Sequence, residues 1–179
     1  MKQDRYLTKS LNGGKRFEKK SATSKKLFWT TTDIIIEIHG LILLTILWLL
    51  VIFKYANLAD VIPIHYNAAG EADKFGGKNT IFILPVVATI LFIGLTVLNK
   101  FPHIFNYIRE ITNENAYFQY TCATRLLRYM KFNIVAIISW ITLSTTGDAN
   151  NLGGWFLPVA IGLIIIPLVY YGIKVLPKR

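Results

Sequence analysis

Apolar residues are blocked into four runs separated by polar stretches. From Ile34 to Phe53 there are twenty residues, fifteen of them Ile, Leu, Val or Phe, broken only by Glu37, His39, Gly40, Thr45 and Trp48. Thr80 to Leu98 and Trp155 to Leu176 are runs of similar length, close to the ~20 residues a helix needs to cross a ~30 Å hydrocarbon core. The run from Phe132 to Thr146 is shorter. A span there borrows Tyr129 and Met130, with Arg128 and Lys131 expected to snorkel toward the headgroups. Each strongly apolar residue favours insertion by roughly 0.3 to 0.6 kcal/mol, against a penalty of about 3 kcal/mol for one acid at the centre. The pattern therefore predicts four transmembrane helices at about 34–53, 80–98, 130–146 and 155–176.

Two of the connections carry patterns of their own. After Pro102, Thr112 or Asn113 can cap a helix, and Ala116, Tyr120, Ala123 and Leu127 then recur at three- or four-residue spacing. This predicts a cytoplasmic amphipathic helix over about 113–131, lying along the membrane interface and running into span three. The other connection, residues 55–79, contains IPIHYNAAGEADKFGGK. Pro63 fixes its own φ and holds Ile62 extended, Ile62, Ile64 and Tyr66 alternate with His65 and Asn67, and Gly70 suits a turn with positive φ.

Charge gives the chain a direction. Lys and Arg number nine in residues 1–33, three in 54–79, five in 99–131, none in 147–154 and three in 174–179. Cytoplasmic segments hold the excess of positive residues, so both termini are expected inside and the 55–79 loop outside. Trp48, Tyr55, Tyr129 and Trp155 fall toward run ends, where interfacial rings gather. The net charge of +10 is concentrated in a basic arm, residues 1–32, whose Lys15, Arg16, Lys19, Lys20, Lys25 and Lys26 fit contact with anionic lipid. With no nucleic-acid recognition fold beside it, nucleic acid is not an expected partner. A signal peptide has a shorter basic region and apolar core, so the first span is expected to stay as an anchor. Cys122 is the single cysteine, which leaves no internal disulfide.

The outward loop holds the most varied chemistry. His65, Asn67, Asp73 and Lys78 are expected to converge on one pocket, with Asp73 and Lys78 paired or each holding one end of the turn, and Pro63, Gly70 and Gly76 shaping the backbone around them. The alternative is that these side chains satisfy the loop's own backbone groups. His65 with Asp60, Glu71 and Asp73 matches no zinc spacing, and no nucleophile, metal set or phosphate cradle accompanies it. No metal, cofactor or catalytic residue is expected. Inside span one, Asp33 and Glu37 share a helix face, and His39 points about 200° from Glu37. Intramembrane ionisable groups such as Glu37 and His39 are candidates for an ion or proton path, but Glu37 lies near the helix start and can pair with a basic residue such as Arg125. Gly94, Pro158, Gly162 and Pro167 can kink their helices or pack them closely.

Ile62-Pro63-x-His65-Tyr66-Asn67-x-x-Gly70-x-x-Asp73-x-Phe75-Gly76-Gly77-Lys78 resembles the signature loop of small bacterial membrane proteins of unknown function, a loop also found in larger immunity proteins of the Sdp type. The likeness covers roughly residues 55 to 99. Phe105-Asn106-Tyr107, Glu114-Asn115-Ala116, Gln119-Tyr120, Ala123-Thr124-Arg125 and Leu127-Arg128 are similar to the cytoplasmic segment of the short members, with Ile108 where they have proline. The resemblance implies an integral membrane protein without catalytic activity; in the larger relatives it implies protection against a secreted toxin and capture of a cytoplasmic repressor.

The expected protein is an all-α membrane protein with residues 33–179 as one transmembrane domain: four spans, both termini cytoplasmic, one interfacial amphipathic helix and one structured extracytoplasmic loop, in the bacterial cytoplasmic membrane. The function expected is non-enzymatic and immunity-like: recognition of, or protection against, an extracellular peptide or envelope component through the IPIHYN loop, with the lipid bilayer and a cytoplasmic protein as further partners. The alternatives are a transport or channel component using Glu37 and His39, and a purely structural membrane protein.

Overall fold

The computed structural model describes residues 27–147 and 151–176; the basic arm up to residue 26 lies outside the described residues. Helix α1 spans Thr31–Tyr55. It starts where it does because Thr30 and Asp33 form a capping box: the Thr30 hydroxyl accepts from the Asp33 N–H, and the Asp33 carboxylate accepts from the Thr30 N–H at 2.8 Å. Two backbone donors that a helix start leaves orphaned are thereby satisfied. A strand pair follows, β1 (Val61–Tyr66) and β2 (Ala72–Gly77), antiparallel and joined by a tight turn. A 3₁₀ turn, Lys78–Phe82, leads into α2 (Ile83–Leu98); α3 is Ala116–Thr145 and α4 is Phe156–Lys174.

Four helices, counting the second from Lys78, are long and apolar enough to cross a membrane. Their outer faces fit only that solvent. Ile38, Leu41, Ile46 and Ile52 on α1, Ile90 and Ile93 on α2, and Ile161 and Ile166 on α4 are each more than half exposed. A soluble monomer rarely shows such a contiguous apolar surface, whereas helices meet lipid this way because their backbone groups are bonded internally. The chain is a multi-pass membrane protein.

Helix α3 packs against each of the other three. The pairings along it fix an up-down-up-down order. Asp33 and Glu37 meet Arg125, Arg128 and Lys131 at one end. Leu44, Leu47, Ala88, Phe92, Val135 and Ile138 form the core in the middle, and Val51, Ile62 and Ile81 join the strand pair to the other end. Gly40 lets α1 approach α2: a Cβ there would stand 3.1 Å from the Phe92 ring.

The surface helix and third span expected from the sequence are one unbroken 30-residue helix, about 45 Å long and thus longer than the hydrocarbon core. Its regular turns begin at Ala116, after a turn in which Thr112 and Asn115 bond each other as a helix cap does and the Thr112 carbonyl accepts the Ala116 N–H. Its first turns pack Ala116 and Tyr120 on Leu27, Tyr107 and Ile111. Burial beside Tyr120 pushes the Tyr107 hydroxyl well above its usual range, and it donates to the Pro102 carbonyl at 2.7 Å.

Pro167 sits inside α4. Proline has no N–H, so the carbonyl one turn earlier, Leu163, loses its helical partner. Asn133 of α3 supplies the replacement, its side-chain amide donating to that carbonyl at 2.5 Å. A polar residue in the middle of an apolar span is thus explained by a proline on its neighbour.

Candidate functional site

The ligand-binding residues expected from the sequence lie in the β1–β2 hairpin or, for Lys78, at its foot, and its register decides which of them meet. Pairing runs Val61 to Gly77, Ile62 to Gly76, Pro63 to Phe75, His65 to Lys74 and Tyr66 to Ala72. Ile64 and Asp73 are therefore each an extra residue, one bulge per strand, and bulges re-aim side chains. The two bulges cancel, so both ends of the hairpin keep one register, and the Asp73 carboxylate stays against the His65 ring, with Nδ1 to Oδ1 at 2.5 Å, both residues exposed. Gly76 leaves room for the bulged Ile64, whose Cγ2 would lie 3.0 Å from any Cβ there. Pro63 is buried and fixes the strand's direction just before the first bulge.

Asn67 and Lys78 do not join that pair. The Asn67 side-chain oxygen accepts from the Ala69 and Glu71 N–H groups at 2.9 and 3.0 Å, and its amide donates to the Glu71 carboxylate. Asn67 thus holds the turn, which Gly70 completes with φ +84°, a conformation side chains resist. Lys78 pairs with Asp60 at 2.9 Å rather than with Asp73. The reason is register: Lys78 follows Gly77, the partner of Val61, so the nearest acid is the residue just before Val61. The Lys78 N–H also donates to the Asp60 carbonyl at 3.0 Å, and the two contacts close the hairpin's base.

The hairpin is tied down at three places. Leu152 N–H donates to the Gly70 carbonyl at 2.7 Å, and Asn151 bridges to Glu71, so the α3–α4 connection grips the turn. Tyr66 shares a hydrogen bond with Thr145 of α3 at 2.9 Å. Between hairpin and bundle lies a cavity of about 500 Å³, walled by Ile62, Ile64, His65 and Tyr66 on one side and Leu84, Ile141 and Phe156 of three helices on the other. It is an apolar slot with an imidazole–carboxylate pair at its edge, suited to an apolar group whose polar end reaches His65. Among the described residues no group of three His, Cys, Asp or Glu could hold a metal ion.

At the opposite end, the ionisable residues arrange themselves differently from expectation. Arg128 and Lys131 do not snorkel: they are 5% and 2% exposed. Arg125 and Arg128 both bond Asp33, at 3.1 and 3.3 Å, while Glu37 takes Lys131 at 2.5 Å rather than Arg125. Lys131 also donates to Thr96 at 2.8 Å. His39 stands apart on an exposed face, its Nδ1 2.8 Å from the Ile35 carbonyl of its own helix, so Glu37 and His39 form no joint site. The acids at spacing four on α1 and the bases at spacing three on α3 fit each other turn by turn. That matched spacing, with the Thr30–Asp33 capping pair before an apolar run, is the sequence signal by which Asp33, Arg128 and Lys131 can be found.

Residues 41–89, from the middle of α1 through the hairpin into α2, match the model of a domain of unknown function (DUF1648). An uncharacterised protein of Archaeoglobus fulgidus is 36% identical over 75 residues, covering 37% of this chain and 41% of that protein. The chain thus aligns with less than half the length of that relative. No solved structure matches the chain.

Proposed function

We propose that the protein is a non-enzymatic recognition component of a cytoplasmic membrane, with both termini and the first turns of α3 on the cytoplasmic side and the hairpin outside. The excess of Lys and Arg in residues 1–33 and 99–131 supports that orientation. The ligand is an extracellular peptide or envelope component that slides an apolar segment into the slot beneath the hairpin and sets a polar group on His65. The observation that carries this reading is the 500 Å³ slot with the His65–Asp73 pair at its rim. A hairpin serving only to join two spans would have no need of an imidazole and a carboxylate bonded to each other in the open beside an apolar slot. The likeness of the loop to that of Sdp-type immunity proteins supports a protective role against a secreted peptide.

The experiment is a photoreactive amino acid in place of Ile64, which lines the slot beside His65, irradiated in living cells, followed by identification of the captured species. A peptide or envelope lipid recovered from wild type and lost on Ile141→Trp, which fills the slot, supports the reading. Equal capture with the slot filled, or unchanged sensitivity to secreted toxins and envelope stress after His65→Ala and Asp73→Ala, removes it. Orientation is checked with Asn67→Cys and a membrane-impermeant thiol reagent, since the native Cys122 is buried: labelling only from the cytosolic side overturns the assignment.

A further inference from the structure

At the bundle end remote from the hairpin, among the described residues, Arg125, Arg128 and Lys131 of α3 face only Asp33 and Glu37 of α1. Three cations against two anions leave one positive charge unmatched among the described residues. Arg125 keeps a side-chain exposure of 26% and can share its charge with water. Lys131 is fully engaged by Glu37, by Thr96 and by the Phe92 ring, whose centroid lies 4.4 Å from the ammonium.

Arg128 shares Asp33 with Arg125 and Glu37 with Lys131. Its Nη1 donates to Asp33, and the Trp29 ring covers its guanidinium at 4.8 Å. Its Nε lies 3.4 Å from Glu37 Oε1 but too misaligned to bond, and among the described residues it has no hydrogen-bond partner. A buried charged donor in that condition is costly.

Arg128 borders a second cavity, of about 530 Å³, together with Trp29, Asn99, Lys100 and His103. The Asn99 side-chain oxygen is buried without a partner as well. Glu37 also reaches the wall, but its carboxylate already faces Lys131 and Arg128.

We propose that this cavity binds a phosphate-bearing anion, either the headgroup of an acidic phospholipid or free phosphate. Phosphate oxygens accept from the Arg128 guanidinium and Lys100 Nζ, which share the cavity wall, with Asn99 beside them. Guanidinium is the side chain best matched to phosphate. The site sits where span ends meet headgroups, so the anion also neutralises the surplus charge that the bundle cannot.

The test uses the purified full chain in phosphatidylcholine nanodiscs, with thermal unfolding as readout. One series adds phosphatidylglycerol in rising mole fraction; a second adds inorganic phosphate to pure phosphatidylcholine. Stabilisation in the first series alone identifies a lipid headgroup, and stabilisation in the second identifies free phosphate; either supports the site. Lys100→Ala, at the exposed rim, shifts the titration by about fivefold, the worth of one charge near the surface. Asn99→Asp supplies the missing anion from within, raising stability in pure phosphatidylcholine and abolishing the response. If wild type responds to neither probe, or if both variants titrate like wild type because the basic arm alone attracts anionic lipid, the proposal is overturned.

Discussion

Lys131 Nζ lies 2.5 Å from Glu37 Oε2, with Thr96 Oγ1 2.8 Å away on another side, and Lys131 is 2% exposed. A lysine that the sequence places at a span's edge is thus drawn inward to bind α1, α2 and α3 at one point. Three elements share the contact: Glu37 from α1, Thr96 from α2 and the lysine from α3. Thr96 can accept because its own hydroxyl proton goes to the Phe92 carbonyl at 2.7 Å.

Removing the acid of this pair should cost more than removing the base. Glu37→Gln strips buried Lys131 of its carboxylate, an effect of about 3–5 kcal/mol, whereas Lys131→Met leaves Glu37 beside Arg128 and should cost less. The double variant removes the stranded ammonium and should unfold closer to wild type than Glu37→Gln. Unfolding midpoints in detergent across the four proteins measure the coupling, and additive losses would mean the pair does not act as a unit.

Gly40 sets the approach of α1 to α2. Ala requires the Phe92 ring, 3.1 Å from the new Cβ, to give by a few tenths of an ångström, and Leu requires the helices to part. Because Phe92 also lies under the Lys131 ammonium, displacing it disturbs the ion pair too. Gly40→Ala should cost about 1 kcal/mol and Gly40→Leu about 3, in the range for overpacking. Gly94, with nothing within 4 Å of its notional Cβ, is the control: Gly94→Ala should be neutral in the same assay.

Gly70 holds the hairpin turn at φ +84°, and its carbonyl accepts from Leu152. A Cβ there would meet the Gly153 carbonyl oxygen at 3.0 Å. Gly70→Ala therefore adds backbone strain, about 1–3 kcal/mol, to a clash with the segment that clamps the turn. Hydrogen exchange should show residues 61–77 losing protection while the core around Leu47 and Ala88 keeps it. Uniform loss across all helices would show instead that the hairpin folds as one unit with the bundle.

The spans were legible because lipid imposes one rule, roughly twenty apolar residues per crossing, and Ile34–Phe53 satisfies it by itself. The hairpin was legible as extended sequence around Pro63 and as a turn at Gly70, since those residues restrict the backbone locally. The pairing of Lys78 was not legible, because its acid, Asp60, lies outside the motif and meets it only once Val61 is set opposite Gly77. Arg128 and Lys131 were misplaced for a related reason. A cation beside an apolar run reads as an anchor unless its acidic partners, some ninety residues earlier, are matched to it turn by turn. Asn133 escaped notice because its partner is a backbone carbonyl freed by a proline on another helix.

That last relationship gives a compensation test. Asn133→Leu leaves the Leu163 carbonyl without a donor inside an apolar span, since Pro167 cannot supply one. The loss should be about 1–2 kcal/mol, the scale of interhelical hydrogen bonds in membranes. Pro167→Ala restores the backbone N–H and so gives Leu163 its own helical partner. In that background Asn133→Leu should cost little, because the amide no longer has a bond that only it can make. Unfolding of the four proteins in one detergent decides the matter: if Asn133→Leu is equally damaging with Pro167 and with Ala at position 167, Asn133 stabilises the bundle through its packing and not through the carbonyl that the proline exposes.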